Sequence, residues 1–201
     1  MAWPQIPAGT PRALSHHSPG LTVIHNFIHL PETIILSPLN CFSKKRLFEE
    51  IAQCASSLLG GREGNKITNP SHTILRSLQA REMMGSTVVC DRFAIPHCAP
   101  PGNNHTLAVL ALLAQPVPYN TVDTEHQLID IVYSFFFSVS DEAEHGERML
   151  ELLAEIMSGT SVRGALQRVR HDHAKLALNL RRIDALLHAR LLSSSEAEKS
   201  A

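Results

Sequence analysis

The residues of this chain that could do chemistry concentrate around its middle. An imidazole is neutral near pH 7 and can act as a nucleophile, and a guanidinium offers parallel donors to phosphate or carboxylate oxygens. Hydroxyl groups can bind the same oxygens, or they can cap a turn through their own backbone. The residue types therefore allow group-transfer chemistry, although their spacing alone assigns no role. The candidates are Arg81, Ser86, Thr87, His97 and Cys98.

Two other kinds of site compete for the same stretch. The chain has twelve histidines, and Cys90, His97, Cys98 and His105 suggest a zinc site. Structural zinc normally uses two closely spaced pairs of ligands, and no second pair is apparent here, so zinc binding is a distant alternative. A cysteine hydrolase based on Cys98 lacks an oxyanion motif and an orienting partner. We expect no metal ion and no cofactor.

Composition limits the partners and the location. Eighteen Lys and Arg residues face 19 Asp and Glu residues, a formal net charge of -1, which gives no broad attraction to nucleic acid or to an anionic membrane. The apolar runs near 107–114 and 128–137 are shorter than the roughly 20 residues that span a bilayer. Residues 21–30 are interrupted by polar side chains and do not form a secretory signal. We therefore expect a cytoplasmic protein that inserts into no membrane, with four reduced cysteines and no disulfide.

The sequence patterns divide the chain into four segments. Residues 1–20 are rich in proline and glycine without an apolar period, which predicts a flexible arm. Residues 21–170 alternate helical and strongly apolar patterns, which predicts an α/β domain with both sheet faces covered. Residues 171–192 predict an extra amphipathic helix whose leucine stripe needs cover, from the core or from a second copy in a homodimer. Residues 193–201 form a polar tail.

Helix and strand signals within the domain are clear. Ser43 can cap a helix that ends at Gly60, and Asn69 followed by Pro70 can cap a second one. Continuous apolar runs predict buried strands, and shorter β-rich runs predict short ones. The predicted strands are Thr106–Ala114 and Leu128–Val139 at the centre, with Val88–Val89 and Phe93–Ile95 as short ones.

Two segments near the middle of the chain together form a motif. Residues 80–87 read AREMMGST and residues 93–97 read FAIPH. This resembles the type 2 enzyme IIA domain of the phosphotransferase system, the fructose/mannitol superfamily. In that family an RE-x-x-G-S-T segment ends a helix and precedes a glycine-rich loop and an A-(I/V)-P-H strand end. SKKR at 43–46 resembles the corresponding helix start of the nitrogen-regulatory branch, and VPY at 117–119 also falls in register.

The resemblance covers roughly residues 30–170 and implies both a fold and a function. The fold is a mixed β-sheet flanked by helices on both faces. The function is that of a phosphocarrier and regulatory protein, which accepts a phosphoryl group from a phospho-HPr-like carrier and regulates partner proteins by its phosphorylation state. Such a protein forms a phosphohistidine and does not turn over a small molecule. The sequence does not identify the regulated partner.

The resemblance also assigns roles to individual residues. His97 accepts the phosphoryl group on Nε2, and Arg81 stabilises the phosphoryl charge. His145 is the candidate for a second histidine of the site, although a count without gaps places that position on the next residue. Three more residues are candidates for phosphate binding: Ser86, Thr87 and Cys98.

One departure from the family keeps a second function open. Val88, Cys90 and Arg92 stand where the family usually has glycines, and Cys98 replaces the glycine usual after the histidine. Glycine permits positive φ and a close approach of backbone amides to a phosphate. Arg92 is a candidate replacement cation, or simply a solvated side chain. The alternative function is therefore a phosphorylation-deficient regulatory binding module of the same fold.

Overall fold

A seven-stranded mixed sheet forms the centre of the part of the chain that the structure describes. The computed structural model describes residues 22–119, 127–140 and 145–199, so the predicted arm at 1–20 lies outside the described residues. The strands are β1 (Thr22–Ile24), β2 (Glu32–Leu39), β3 (Val88–Cys90), β4 (Arg92–Ala94), β5 (His97–Cys98), β6 (Leu107–Pro118) and β7 (Leu128–Phe136). The helices are α1 (Lys44–Leu59), α2 (Pro70–Met83), α3 (His145–Ser158), α4 (Thr160–Arg168) and α5 (His173–Lys199).

The strands lie in the order β1-β2-β6-β7-β4-β3, and β5 pairs with β7 beyond the end of β4. The central strands β6 and β7 are antiparallel to each other, whereas β2 runs parallel to β6 and β4 and β5 run parallel to β7. Most side chains of β6 and β7 are buried, because helices cover both faces of these strands. The predicted α/β class, a mixed sheet flanked by helices on both faces, is confirmed.

One face of the sheet is covered by α1 and α2. Ser43 caps α1 by accepting the backbone N–H of Arg46 at 3.2 Å, and the helix ends before Gly60 as predicted. Pro70 is the first residue of α2, but the Asn69 side chain makes no capping hydrogen bond, contrary to expectation. Apolar side chains of both helices pack on the sheet in one cluster, which also contains Cys98 at the strand end.

The opposite face is covered by α3, α4 and α5. Asp172 accepts the backbone N–H of Lys175 at 3.0 Å and so caps the start of α5. The leucine stripe of α5 is buried on the sheet, with Leu180 and Leu187 fully covered, so the core supplies the cover that the stripe needs. The helix continues to Lys199, through most of the predicted tail. None of the helices in the described residues is long and apolar enough to cross a membrane.

Candidate functional site

His97 opens the short strand β5 and lies beside Phe135 of β7. The carbonyl of Pro96 accepts the backbone N–H of Phe135 at 2.9 Å, so the chain just before the histidine is tied to a central strand. The histidine is only half-buried. A rigid strand end therefore presents an imidazole that solvent can still reach.

The hydrogen bonds of the His97 ring identify the nitrogen that carries the proton. Nδ1 lies 2.9 Å from the backbone carbonyl oxygen of Ile95, and a carbonyl oxygen can only accept. Nδ1 therefore carries the hydrogen, and in a neutral ring Nε2 holds a lone pair. That lone pair accepts the Nε–H of Arg81 at 3.1 Å. The nitrogen of His97 that holds the lone pair thus faces Arg81.

Arg81 is placed by the last turn of α2. Its Nη1 also donates to the carbonyl oxygen of Gly85 at 3.1 Å, in the turn that follows the helix. The guanidinium is therefore held between its own turn and the imidazole. The structure brings together two of the predicted residues, the candidate nucleophile and the candidate cation, although 16 positions separate them in the chain.

Ser86 and Thr87 direct their hydroxyl groups into the turn itself. The Ser86 hydroxyl oxygen accepts the backbone N–H of Val88 at 3.2 Å. Thr87 is buried, and its hydroxyl donates to Glu82 at 2.6 Å and lies 3.3 Å from the Tyr119 hydroxyl. In this arrangement both residues stabilise the turn that carries Arg81. Phosphate binding by either hydroxyl remains a prediction.

Two further predicted residues occupy different surroundings. Cys98 is buried with its side chain in the apolar cluster beneath α1 and α2, and its backbone carbonyl accepts the N–H of Phe137 at 2.9 Å. His145 is the first residue of α3, and its side chain lies outside the part of the chain that the structure describes. The roles predicted for these two residues stay predictions.

Arg92 lies far from His97. It is opposite Ile129 of β7, whereas His97 is opposite Phe135 of the same strand, and the five residues of extended chain from Arg92 to His97 span about 16 Å. The Arg92 guanidinium is paired with Asp130, which raises its pKa above the ordinary value. The suggestion that Arg92 replaces a cation at the phosphoryl group is therefore wrong.

The loop that has lost the family glycines is rebuilt as a tight hairpin between β3 and β4. Among Val88, Cys90 and Arg92, only Arg92 takes a positive φ, of 69°. A side chain in this left-handed region is strained, and the ion pair with Asp130 helps to hold it there. The hairpin between β3 and β4 therefore closes although none of residues 88, 90 and 92 is glycine.

The four residues considered for zinc do not converge. The Cys90 sulfur accepts a hydrogen bond from Arg163 at 3.1 Å, and His105 Nε2 lies 2.8 Å from the carbonyl oxygen of Glu63. His97 faces Arg81, and Cys98 is in the core. Within residues 22–119, 127–140 and 145–199, no group of three or more potential ligands is placed to hold a metal ion.

The sequence patterns do not indicate Lys44 and Glu82 as site residues. Lys44 Nζ lies 2.8 Å from Glu82 Oε1, so Glu82 pairs across to α1 and not with its neighbour Arg81. The same ammonium lies 4.1 Å from the centre of the Tyr119 ring. All three residues belong to segments that carry the family resemblance, which is the signal that could have suggested them.

Three large apolar side chains are exposed near the Lys44–Glu82 pair. Phe42, Met83 and Met84 are 83%, 84% and 85% exposed. Phe42 precedes the start of α1, and the two methionines end α2, where Lys44 and Glu82 join the two helices. Exposed apolar groups that lie close together are typical of a surface that binds another protein.

Comparison with known proteins identifies the family. The sequence pattern described as "Phosphoenolpyruvate-dependent sugar phosphotransferase system, EIIA 2" matches residues 28–178. The chain belongs to this EIIA 2 family. The match includes Arg81 and His97 and extends into the first turns of α5.

Relatives agree with membership of the EIIA 2 family and with its nitrogen-regulatory branch. A nitrogen regulatory protein of Pseudomonas aeruginosa is 29% identical over 125 residues, which cover 62% of this chain and 75% of the relative. The crystal structure of nitrogen regulatory protein IIA-Ntr from Neisseria meningitidis matches with a TM-score of 0.59 at 25% identity, covering 75% of this chain and 92% of that one. The IIA mannitol structure from Escherichia coli matches with a TM-score of 0.54 at 14% identity, over 73% and 94% of the two chains, and shows the shared fold. The predicted family and branch are confirmed.

Proposed function

We propose that this EIIA 2 protein accepts a phosphoryl group on Nε2 of His97 from an HPr-like phosphohistidine carrier in the cytoplasm. Its phosphorylation state would then regulate a second protein, whose identity the fold does not specify. The observation that carries the proposal is the pair of hydrogen bonds on one ring. Ile95 holds the proton on Nδ1, and Nε2 is the nitrogen that faces a guanidinium.

The transfer is a displacement at phosphorus. The lone pair on Nε2 of His97 forms a bond to the phosphorus atom, and the bond between that phosphorus and the carrier's imidazole nitrogen breaks. The leaving imidazole keeps the bonding electrons. The hydrogen on Nδ1 stays in place and continues to donate to Ile95, so the positive charge that develops on the ring is stabilised by a carbonyl dipole.

Arg81 must change partners during this step. Its Nε–H occupies the Nε2 lone pair in the unphosphorylated protein, so the guanidinium has to release the ring before the phosphorus can approach. Once released, its donors can bind two phosphoryl oxygens and offset their charge. His145, at the start of α3, is retained as the second histidine of this proposal.

The exposed apolar side chains support docking of a protein carrier. Phe42, Met83 and Met84 offer adaptable apolar contact beside a nucleophile that must be reached by another folded domain. The formal charge of -1 provides little long-range steering, so recognition must depend on local contacts of this kind.

A reconstituted transfer assay tests the proposed function. The protein is incubated with phosphoenolpyruvate, enzyme I and an HPr-type carrier from the same source. We expect an acid-labile phosphoryl group that is absent in His97→Ala and present in His105→Ala, whose imidazole lies on another loop against Glu63. No transfer to the wild type, with carriers shown to be competent on another enzyme IIA, would favour the regulatory binding module that cannot be phosphorylated.

A further inference from the structure

A buried polar cluster lies directly behind the candidate site. It consists of Lys44, Glu82, Thr87 and Tyr119, and we call it the Lys44 cluster. Glu82 accepts from Lys44 at 2.8 Å through one oxygen and from the Thr87 hydroxyl at 2.6 Å through the other. The Tyr119 hydroxyl lies 3.3 Å from that of Thr87, and the Lys44 ammonium stands over the tyrosine ring.

Burying the charged groups of the Lys44 cluster costs free energy, because they lose contact with water. The side chain of Glu82 is only 8% exposed, and that of Lys44 is 21% exposed. Burial, together with the nearby negative charge of Glu82, raises the pKa of Tyr119 well above its ordinary value. Replacing buried ion pairs by apolar groups is often neutral or stabilising, so stability alone does not account for this cluster.

Backbone hydrogen bonds connect the Lys44 cluster to His97. The backbone carbonyl of Thr87 accepts the N–H of Ile95 at 2.9 Å. The carbonyl of Ile95, in turn, accepts Nδ1–H of His97 at 2.9 Å. Two hydrogen bonds thus lead from Thr87 to the ring nitrogen that must keep its proton. The position of Thr87 therefore determines where the Ile95 carbonyl points.

The same threonine closes the turn that follows Arg81. Its hydroxyl reaches back to Glu82 and ties residues 82–87 into a closed turn. Within that turn lies Gly85, whose carbonyl oxygen accepts a hydrogen bond from Nη1 of Arg81. Two partners of His97, the Ile95 carbonyl and the Arg81 guanidinium, are thus attached to one anchored segment.

We propose that Glu82 and Thr87 are positioning residues for His97. Through the hydrogen bond between them they orient the carbonyls of Ile95 and Gly85, so that the imidazole holds its proton on Nδ1 and presents Nε2 to the phosphoryl donor. Lys44 holds Glu82 through its ion pair, and Tyr119 holds Thr87 through the contact between their hydroxyl groups. The consequence for transfer rate rests on the proposed function, whereas the consequence for the ring tautomer does not.

The molecule contains a matched control for this cluster. Thr33 is also fully buried, and its hydroxyl lies 2.9 Å from the hydroxyl of Tyr133, another fully buried tyrosine. Thr33 lies in β2 and Tyr133 in β7. Tyr133 packs in the apolar cluster beneath α3, α4 and α5, whereas Tyr119 packs in the cluster beneath α1 and α2. Thr33→Val therefore removes a comparable buried hydroxyl without touching the Lys44 cluster.

The test measures the tautomer of His97 by nitrogen-15 NMR in the unphosphorylated protein. Wild type, Thr87→Ser and Thr33→Val should show mainly the Nδ1–H tautomer. Thr87→Val should shift the ratio of the two tautomers by about fivefold toward Nε2–H, which corresponds to the net strength of one hydrogen bond. Transfer from the carrier should slow about tenfold in Thr87→Val and recover in Thr87→Ser, because small misplacements of a reacting group are costly.

A second variant covers the case in which Thr87→Val does not fold. Glu82→Ala removes the same hydrogen bond from its other end, and it should produce the same tautomer shift. A tautomer ratio in either folded variant that equals the ratio in Thr33→Val would overturn the positioning role. Direct binding of phosphate by Thr87 would not move this ratio, because no phosphoryl group is present in the measurement.

Failure of the positioning role and failure of the proposed function give different results. If the wild type is never phosphorylated by a competent carrier, the proposed function fails, and the tautomer comparison still decides whether Glu82 and Thr87 orient the ring. If the wild type is phosphorylated and Thr87→Val shows neither a tautomer shift nor a slower transfer, only the positioning role fails.

Discussion

The two helical layers of this protein use their polar side chains differently. In the layer of α1 and α2, polar contacts converge on one strand end, where Arg81 meets His97 and Glu82 anchors the turn between them. In the layer of α3, α4 and α5, polar contacts tie the last helix to the first strands of the sheet. Asp184 there accepts the backbone N–H groups of residues 28, 29 and 30 at 2.7, 2.9 and 2.8 Å.

The difference places the polar side chains of the candidate site on one side of the sheet and those that hold the last helix on the other. Both layers bury apolar stripes on the same central strands β6 and β7. The α1 and α2 layer places the Arg81 guanidinium against the half-buried imidazole of His97. The opposite layer uses a buried carboxylate and His173, which contacts both Thr22 and the carbonyl of Ser37, to close the fold. Substitutions in the two layers should therefore affect different properties.

The largest effect should follow from removing Arg81. Arg81→Ala should slow phosphoryl transfer to His97 about 100-fold, because one charge-stabilising group at a transition state contributes on this order. Single-turnover transfer from the phosphorylated carrier measures the rate. Arg92→Ala is the matched control, since Arg92 lies about 16 Å from His97 along an extended chain and its guanidinium is paired with Asp130. It should leave the transfer rate of the folded protein unchanged and lower its stability by about 2 kcal/mol, because Asp130 is left buried without its partner. Equal transfer rates for Arg81→Ala and wild type would contradict the role of Arg81.

The next effect concerns the core contact of α5. Leu180 is fully buried, whereas Leu178 on the same helix is 50% exposed. Leu180→Ala should lower the free energy of unfolding by about 3 kcal/mol, and Leu178→Ala should change it by less than about 0.5 kcal/mol. Urea denaturation measures both, and neither variant should alter transfer by the folded protein. Equal midpoints for the two variants would show that α5 is not part of the folded core.

A smaller effect is expected at the carboxylate that joins α5 to residues 28–30. Asp184→Asn keeps one accepting oxygen but turns an amide group toward a backbone N–H, so one hydrogen bond becomes a contact between two donors. We expect a loss of about 2 kcal/mol in the free energy of unfolding. Thermal unfolding monitored by circular dichroism measures it. A variant as stable as the wild type would mean that these hydrogen bonds contribute nothing net.

The smallest effect is chemical and depends on pH. Burial raises the pKa of Cys41 to about 11 and that of Cys54 to about 12, with the charge of Glu50 adding to both shifts. Both thiols should therefore resist a maleimide at pH 8, while half-buried Cys90 reacts first. Labelling followed by mass spectrometry shows the order, and in concentrated urea all four cysteines should react. Rapid labelling of Cys54 in the native protein would contradict its burial in α1.

The same two thiols make stability fall at high pH. Their pKa values in the folded protein lie above the ordinary value of 9.0, so the unfolded chain loses these protons first. The free energy of unfolding should therefore decline as the pH rises from about 9 toward 12. Urea midpoints across this range measure the decline, and replacing both cysteines by alanine should reduce its slope.

Elements with a continuous or periodic apolar pattern could be predicted from the sequence. The runs that form β6 and β7, and the stripe of α1, are long enough for their period to be unambiguous. The sequence pattern does not predict β2, because its apolar run is short and Pro38 lies near its end. Its pairing with β6 comes from tertiary contacts that no local pattern encodes.

The candidate site could be predicted only in part. The family motif identified Arg81 and His97, and the structure places them in contact. The suggestion that Arg92 is a replacement cation fails because its guanidinium pairs with Asp130, 38 positions away, and no local pattern predicts that contact. The pair of Lys44 and Glu82 forms between the ends of two helices, 38 positions apart, so it depends on how α1 packs against α2.

The most direct measurement of the central claim is the identity of the phosphorylated nitrogen. After transfer from the carrier, phosphorus-31 and nitrogen-15 NMR distinguish a phosphoryl group on Nε2 of His97 from one on Nδ1. Because Nδ1 donates to Ile95 and Nε2 faces Arg81, we predict a phosphoryl group on Nε2, with the Nδ1 hydrogen retained. A phosphoryl group on Nδ1, on another residue, or on none with a competent carrier would contradict the account.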